Sequence, residues 1–242
     1  MSEISKGNRN IFLIAAAILA IGIVAGGFLL GDGLKRARLA DRAVTMRGLA
    51  ERDVTADLAT WTIGFNAQGS ELGEVQAESD RDAATVIAFF RAAGFPAEAV
   101  TDAGGSVNQF FDTNRGANSV TVTRRIQLRT TDVMRARGAY GRQFELIRSG
   151  VAIQDGSSMQ YSFTRLNSVK PAMIAAATQD ARRGAEQFAR DSGTAVGGIR
   201  SATQGYFSIG ARDGAATEEG GGGNDSPLQK VRVVTTIEFY LS

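Results

Sequence analysis

The chain has 242 residues, of which 43% are hydrophobic and 21% charged, and its formal net charge is +2. It contains no cysteine and no histidine, which excludes within this chain histidine-based triads, cysteine nucleophiles, zinc sites with Cys or His ligands, and haem or iron–sulfur ligation by those residues. Its basic residues are scattered and form no stripe interleaved with aromatic residues, so we expect no nucleic-acid partner. Carboxylates, Lys, Tyr, Ser, Thr or a metal held by oxygen ligands remain for catalysis. A hydrolase that uses carboxylates, or a metal bound by acidic side chains, is thus an alternative, but we expect neither enzymatic activity nor a cofactor.

The first element is a stretch of twenty uncharged residues, 11–30, which reads IFLIAAAILAIGIVAGGFLL. At about 1.5 Å of rise per residue, such a helix spans the roughly 30 Å hydrocarbon core of a bilayer. The sequence therefore predicts a transmembrane anchor after a cytoplasmic N-terminus at 1–10. A cleaved signal peptide is the alternative, because Lys6 and Arg9 precede the stretch and small residues lie near Ala25. The apolar run nevertheless continues to Leu30, which is longer than a usual signal h-region.

Small residues within the anchor follow the spacing of membrane-helix dimers. Gly22 and Gly26 form one GxxxG pair, and Gly27 and Gly31 form a second. Such residues let helix backbones approach closely in lipid, so we expect helix packing there. The alternative is that Gly is simply common in membrane helices.

A charged linker, 31–42, joins the anchor to the rest of the chain. Basic residues lie on both sides of the anchor, with Lys6 and Arg9 before it, offset by Glu3. After it come Lys35, Arg36, Arg38 and Arg42, with Asp32 and Asp41 among them. Counted literally, these charges do not favour an N-terminus in the cytoplasm. The orientation of the anchor is thus not determined by charge.

Residues 43–242 have the mixed periodicity of an α+β domain. Trp61, Ile63 and Phe65 alternate as in a half-buried strand, whereas Val133, Ala136, Tyr140, Phe144 and Ile147 recur at helical spacing after a potential N-cap at Asp132. In chain order the patterns predict strands at 44–54 and 57–67, a helix at 71–93, strands at 100–111 and 119–129, a middle helix at 132–148, a strand at 158–164, a helix at 168–190 and strands at 199–209 and 229–241.

These elements form an internal repeat. A β-α-β-β unit at 57–129 is followed by the middle helix and then by a second β-α-β-β unit at 158–241, which predicts a duplicated α+β domain. The motif F-x-R-x-x-G occurs at the end of both long helices, with its glycines at Gly94 and Gly193. The second copy has a longer hairpin loop, 213–227. We expect a flexible hairpin tip there, because its four glycines lack the Lys and the helix start of a phosphate-binding loop.

Four segments of the soluble part resemble the SIMPL-domain family, a group of bacterial envelope proteins whose domain has no known function. They are VTMRGLAERDV (44–54), WTIGFNAQG (61–69), AAGF (92–95) and VRVVTTIEF (231–239). The resemblance implies a non-enzymatic periplasmic protein that assembles into large homo-oligomeric rings or barrels and is linked to oxidative stress. Combined with the anchor, it implies a single-pass inner-membrane protein with 43–242 in the periplasm. The alternative is a ligand-binding or sensing module without a large assembly.

Two oppositely charged helix faces are candidate contacts between copies. Glu71, Glu74 and Glu78 fall on one face of the first predicted helix. Arg135, Arg142 and Arg148 lie on the middle helix. An acidic and a basic helix on one chain suit a head-to-tail contact that closes into a ring, although solvated helix faces explain the same charges. We expect Trp61 in the core and Arg124 with Arg125 on a protected edge strand.

Overall fold

The computed structural model describes residues 19–33, 42–113, 116–213 and 224–242 and has a mixed α+β fold with two sheets among them. Its elements in chain order are α1 (19–33), β1 (Ala43–Thr55), β2 (Leu58–Gly69), α2 (Leu72–Ala92), β3 (Val100–Asp112), β4 (Ala117–Thr130), α3 (Val133–Tyr140), α4 (Phe144–Arg148), β5 (Ser158–Ser162), α5 (Leu166–Ser192), β6 (Val196–Ala211) and β7 (Leu228–Leu241). The predicted strands and the two long helices are thus confirmed, with ends that differ by a few residues.

Helix α1 exposes its large apolar side chains. Leu19, Ile21, Val24, Phe28 and Leu30 have between 66% and 77% of their surface exposed. No helix among the described residues is both long and apolar enough to cross a membrane. Residues 11–18 of the predicted anchor and 34–41 of the predicted linker lie outside the described residues, and the anchor stays a prediction.

One compact unit comprises Glu51–Met173 and Tyr206–Val233. Its sheet has the strand order β3-β4-β2-β5, and all three pairings are antiparallel. Helix α2 lies against β2 and β4 because one face of the helix and one face of the sheet are both apolar. The side chains that α2 buries are Val75, Ser79, Ala83, Val86 and Phe90.

An aromatic cluster lies at the centre of this unit. Trp61 is 1% exposed, and its ring meets Phe89, Phe90 and Tyr140 edge to face, with centroids 6.0, 5.2 and 5.2 Å away. Such pairs stabilise a core beyond simple burial of area. The predicted core position of Trp61 is confirmed.

The prediction of one middle helix over 132–148 is wrong. Asp132 does cap α3, accepting a hydrogen bond from Arg135 N at 3.1 Å, but the helix ends at Tyr140 and α4 begins only at Phe144. The turn shifts the helical phase, so Leu146 is buried while Phe144 and Ile147 are 63% and 49% exposed. Gly138 and Gly141 lower helix propensity at the break, and a periodicity that assumes one axis fails beyond it.

The other compact unit comprises the described residues up to Ala50, together with Ile174–Gly205 and Val234–Ser242. The second sheet has the order β1-β7-β6. In this unit, the small side chains of α5 allow it to pack closely on β1: an added Cβ at Gly48 would overlap Ala177 O and lie 2.6 Å from Ala181 N. Ala181, Ala185, Ile237 and Phe239 form its core cluster.

The chain contains the element order β-α-β-β twice, at β2 to β4 and at β5 to β7, but the strand pairing does not follow that order. Strand β5 pairs with β2 in the four-stranded sheet, while β1 lies beside β7. Gly94 and Gly193 have φ values of +86° and +69° just after α2 and α5, which accounts for the glycine in the repeated motif. The duplication itself stays a prediction. Residues 214–223 of the predicted flexible loop lie outside the described residues.

Candidate interaction surfaces

The two sheets have four outer strands, and β1 is protected against further pairing. It has Arg47, Glu51, Arg52 and Asp53 along its length, and Asp180 of α5 accepts a hydrogen bond from the backbone N–H of Leu49 at 3.0 Å. This hydrogen bond lowers the pKa of Asp180, against a smaller opposing effect of burial. Charges and a covering helix are common means of blocking an open edge.

Strand β5 forms an outer edge of only five residues. It pairs with β2 from Ser158 to Ser162, and Gln160 at its centre is exposed. Such a short edge offers few backbone groups to another strand.

Strand β3 is a long outer edge whose residues 105–111 have no such protection in the part of the chain that the structure describes. The segment reads GSVNQFF, contains neither charge nor proline, and is exposed throughout. Val107, Phe110 and Phe111 are 58%, 53% and 60% exposed. In the sequence, this surface is marked only by a stretch without charged residues. Such a stretch also suits an inner strand, and the alternating pattern does not separate the two possibilities.

The start of β3 is held by an ion cluster. Arg124 lies 2.7 Å from Asp80 of α2 and 2.7 Å from Asp102 of β3. Gly104 N donates to the Asp102 side chain, and the register shifts between Asp102 and Gly105. The hydrogen bonds from Arg124 and Gly104 lower the pKa of Asp102, despite an opposing effect of burial.

The expectation that Arg124 and Arg125 mark an edge strand is wrong. Strand β4 lies between β3 and β2, and both arginines sit within its paired part. Arg124 instead links β4 to α2 and to β3 through its ion pairs with Asp80 and Asp102. Which strand is outermost depends on pairing between segments that are far apart in the sequence. The local sequence of β4 therefore does not show whether β4 is an edge strand.

Strand β6 is the second long outer edge that lacks such protection among the described residues. Residues 201–210 read SATQGYFSIG, again without charge or proline, and residues 198–206 are exposed. Tyr206 is 99% exposed. In its sheet, β6 is outermost beside β7, as β3 is outermost beside β4 in the other sheet.

The predicted acidic face is exposed. Glu71 precedes α2 as its N-cap residue, and Glu74 and Glu78 follow in its first two turns; all three side chains are exposed. Burial, with a further effect from Glu78, raises the pKa of nearby Asp82. The structure thus presents the acidic face to solvent at one end of α2.

The three predicted arginines are divided between two helices and have different surroundings. Arg135 donates to Gly94 O at 2.9 Å and pairs with Asp132 at 3.1 Å. Arg142, in the turn before α4, lies 6.0 Å above the Phe89 ring, and Arg148 is exposed at the end of α4. Arg135 is therefore held within its own chain by a hydrogen bond and an ion pair, unlike Arg142 and Arg148 among the contacts of the described residues.

The predicted helix-packing glycines Gly22, Gly26, Gly27 and Gly31 all lie in α1. An added Cβ at any of them would have no described atom within 4 Å. Among the residues described, no group of three or more Asp or Glu side chains could hold a metal ion.

These features describe an α+β protein with two sheets, each of which has one long outer strand that is unprotected in the part of the chain that the structure describes. The family model for SIMPL, described as a protein of unknown function (DUF541), matches residues 44–239. The chain therefore belongs to the SIMPL family, as the sequence motifs predicted. No curated protein matches it.

Proposed function

We propose that this protein is a membrane-anchored, non-enzymatic scaffold of the bacterial envelope that assembles into a homo-oligomer. The observation that carries this proposal is α1, whose apolar side chains are about two-thirds exposed or more, from Leu19 to Leu30. Keeping so many large apolar groups in water is unfavourable, by about 25 cal/mol per Å² of apolar surface. A bilayer around residues 11–30 would remove this cost.

The proposed assembly is supported by the outer strands. Two long, uncharged, exposed edges on one chain are unusual in a protein that works as a monomer, because open edges promote pairing with other chains. The absence of His and Cys removes the commonest catalytic groups, which favours a structural role. The proposed periplasmic location of 43–242 and the link to envelope or oxidative stress rest on the family resemblance.

Light scattering of the full chain in detergent tests the assembly. We expect particles several times heavier than the 25.5 kDa chain, after subtraction of the detergent. A monomer over the micromolar range would contradict the scaffold and favour the ligand-binding alternative.

Protease added to spheroplasts tests the orientation. We expect digestion of the soluble domain from outside the inner membrane, with a short N-terminal fragment protected. Survival in spheroplasts with digestion after lysis would show that the domain faces the cytoplasm.

A further inference from the structure

Strands β3 and β6 differ from the other two outer strands because their outer edges are open to pairing with another strand. Strand β1 has charged side chains and a covering helix, and β5 is short, so both are protected. Among the described residues, 105–111 of β3 and 201–210 of β6 contain no charge or proline, and 105–111 and 201–206 are exposed throughout. Natural sheets rarely leave such edges open, because unpaired N–H and C=O groups recruit other strands.

We infer that β3 of one copy pairs with β6 of the next copy, so that a continuous sheet crosses each subunit boundary. This inference rests on the proposed self-assembly and names the surface that makes it. The shorter stretch, 105–111, would pair over about 23 Å at roughly 3.3 Å per residue. Neither stretch has a charged residue, so their approach buries no charge and brings no like charges together.

A second copy of this chain suits both edges better than a separate peptide does. One peptide strand would occupy one edge and leave the other open. Pairing β3 with β6 uses both edges of every copy in a single repeated contact. Such a head-to-tail contact generates closed rings when its rotation permits. Anchoring in one membrane would also raise the effective concentration of the edges.

Engineered disulfides test the pairing directly, because the chain has no cysteine and every disulfide must come from the introduced residues. Asn108→Cys on β3 is combined in turn with a cysteine at each position from 201 to 208 on β6, in the full chain in its membrane. A disulfide needs Cα atoms within about 7 Å, so efficient cross-linking identifies the register.

We expect at least one pair to give a ladder of covalent oligomers on a non-reducing gel. The matched control replaces Asn108→Cys by Gln160→Cys on β5, an exposed position on the other edge of the same sheet, and should remain monomeric. Each single cysteine should also remain monomeric. Dimers from Asn108→Cys alone would show β3 pairing with β3 and would overturn the inference.

A charge substitution provides a second measurement. Tyr206 is 99% exposed, so Tyr206→Lys removes little packing but places a charge on the β6 edge. We expect its particle mass in detergent to fall at least twofold with an unchanged melting temperature, whereas Gln160→Lys leaves the mass unchanged. Full-size particles in Tyr206→Lys, with no cross-linked ladder in any pair, would overturn the edge pairing while self-assembly stands. A monomeric wild-type chain would overturn both.

Discussion

At the scale of single residues, Gly48 shows how the absence of a Cβ at one position permits close packing of a helix on a strand. It lies on β1 under α5, whose alanines at 177, 181, 185 and 189 are at most 2% exposed. Alanines at every fourth position form one face that permits close approach. The sequence contains both the glycine and the row of alanines, but only the fold shows that they are in contact.

Gly48→Ala should destabilise the protein, because its Cβ would overlap the carbonyl oxygen of Ala177. Overpacking of this kind costs about 1–3 kcal/mol, and we expect a lower melting temperature in thermal denaturation. The control is Gly73→Ala in α2, where an added Cβ has no described atom within 4 Å. It should be neutral or stabilise by up to about 1 kcal/mol through helix propensity. Equal stability of the Gly48→Ala variant and the wild type would contradict the close packing.

Asp57 links the start of β2 to the segment after β5. Its side chain is 15% exposed, accepts a hydrogen bond from Thr164 N at 2.8 Å and pairs with Arg165 at 2.8 Å. Burial raises the pKa of Asp57, but the hydrogen bonds from Thr164 and Arg165 outweigh it and the net pKa is lowered.

Asp57→Asn should therefore reduce stability at neutral pH by about 1.5–3 kcal/mol, the range for hydrogen bonds to a charged group. Because the folded pKa lies below the unfolded value of about 3.9, the stabilisation is complete above that value and is lost as pH falls through the folded pKa. Urea denaturation should show the difference from wild type at pH 7 and its decrease below about pH 4. Asp155→Asn, in an exposed turn, should change stability by less than about 0.5 kcal/mol at either pH. A difference independent of pH would contradict this assignment.

At the scale of elements, the local patterns predicted most helices and strands but not their interruptions. The alternation at Trp61, Ile63 and Phe65 placed β2 correctly because one face of that strand is buried. The middle helix was predicted as one because its apolar spacing continues across Gly141. In the structure the helix is interrupted, and Leu146 packs into the core in place of Phe144 and Ile147.

Helix α1 offers a prediction about the membrane. Replacing Gly22, Gly26, Gly27 and Gly31 together by Ile should weaken association of the full chain in detergent, because bulky side chains prevent close approach of helix backbones. The control replaces Leu19, Val24, Leu29 and Leu30 by Ile, which preserves apolarity without filling the glycine positions. Sedimentation in detergent measures both variants. If the glycine variant sediments as wild type does, the glycines do not pack between copies.

At the scale of the whole molecule, the acidic and basic helix faces offer an account of assembly that competes with the sheet edges. Arg135 is a poor probe of this idea because its reversal would also break its contacts with Asp132 and Gly94. Arg142 and Arg148 test it with less damage to the chain.

If these helices meet between copies, replacing Arg142 and Arg148 by Glu should reduce particle mass at low salt, since they would repel Glu71, Glu74 and Glu78 of a neighbour. Wild-type particles should then also shrink as salt rises, because screening acts over about 8 Å at physiological ionic strength. Replacing Arg47 and Arg52 on β1 by Glu is the matched control and should not change the mass. Light scattering over a salt series measures all three proteins. Full-size particles in the Arg142 and Arg148 variant would exclude the helix faces and leave strand pairing as the better account.

The sequence by itself determined the order and type of most elements, the family, and the exclusion of chemistry based on His and Cys. These depend on composition, on motifs, and on periods of 2 and 3.6 that each segment contains locally. Only the tertiary structure decided that β1 pairs beside β7, that β5 joins β2, and that β3 and β6 are outermost. Strand pairing joins residues far apart in the chain through backbone groups that every residue shares. For that reason the open edges became visible only once the sheets were formed.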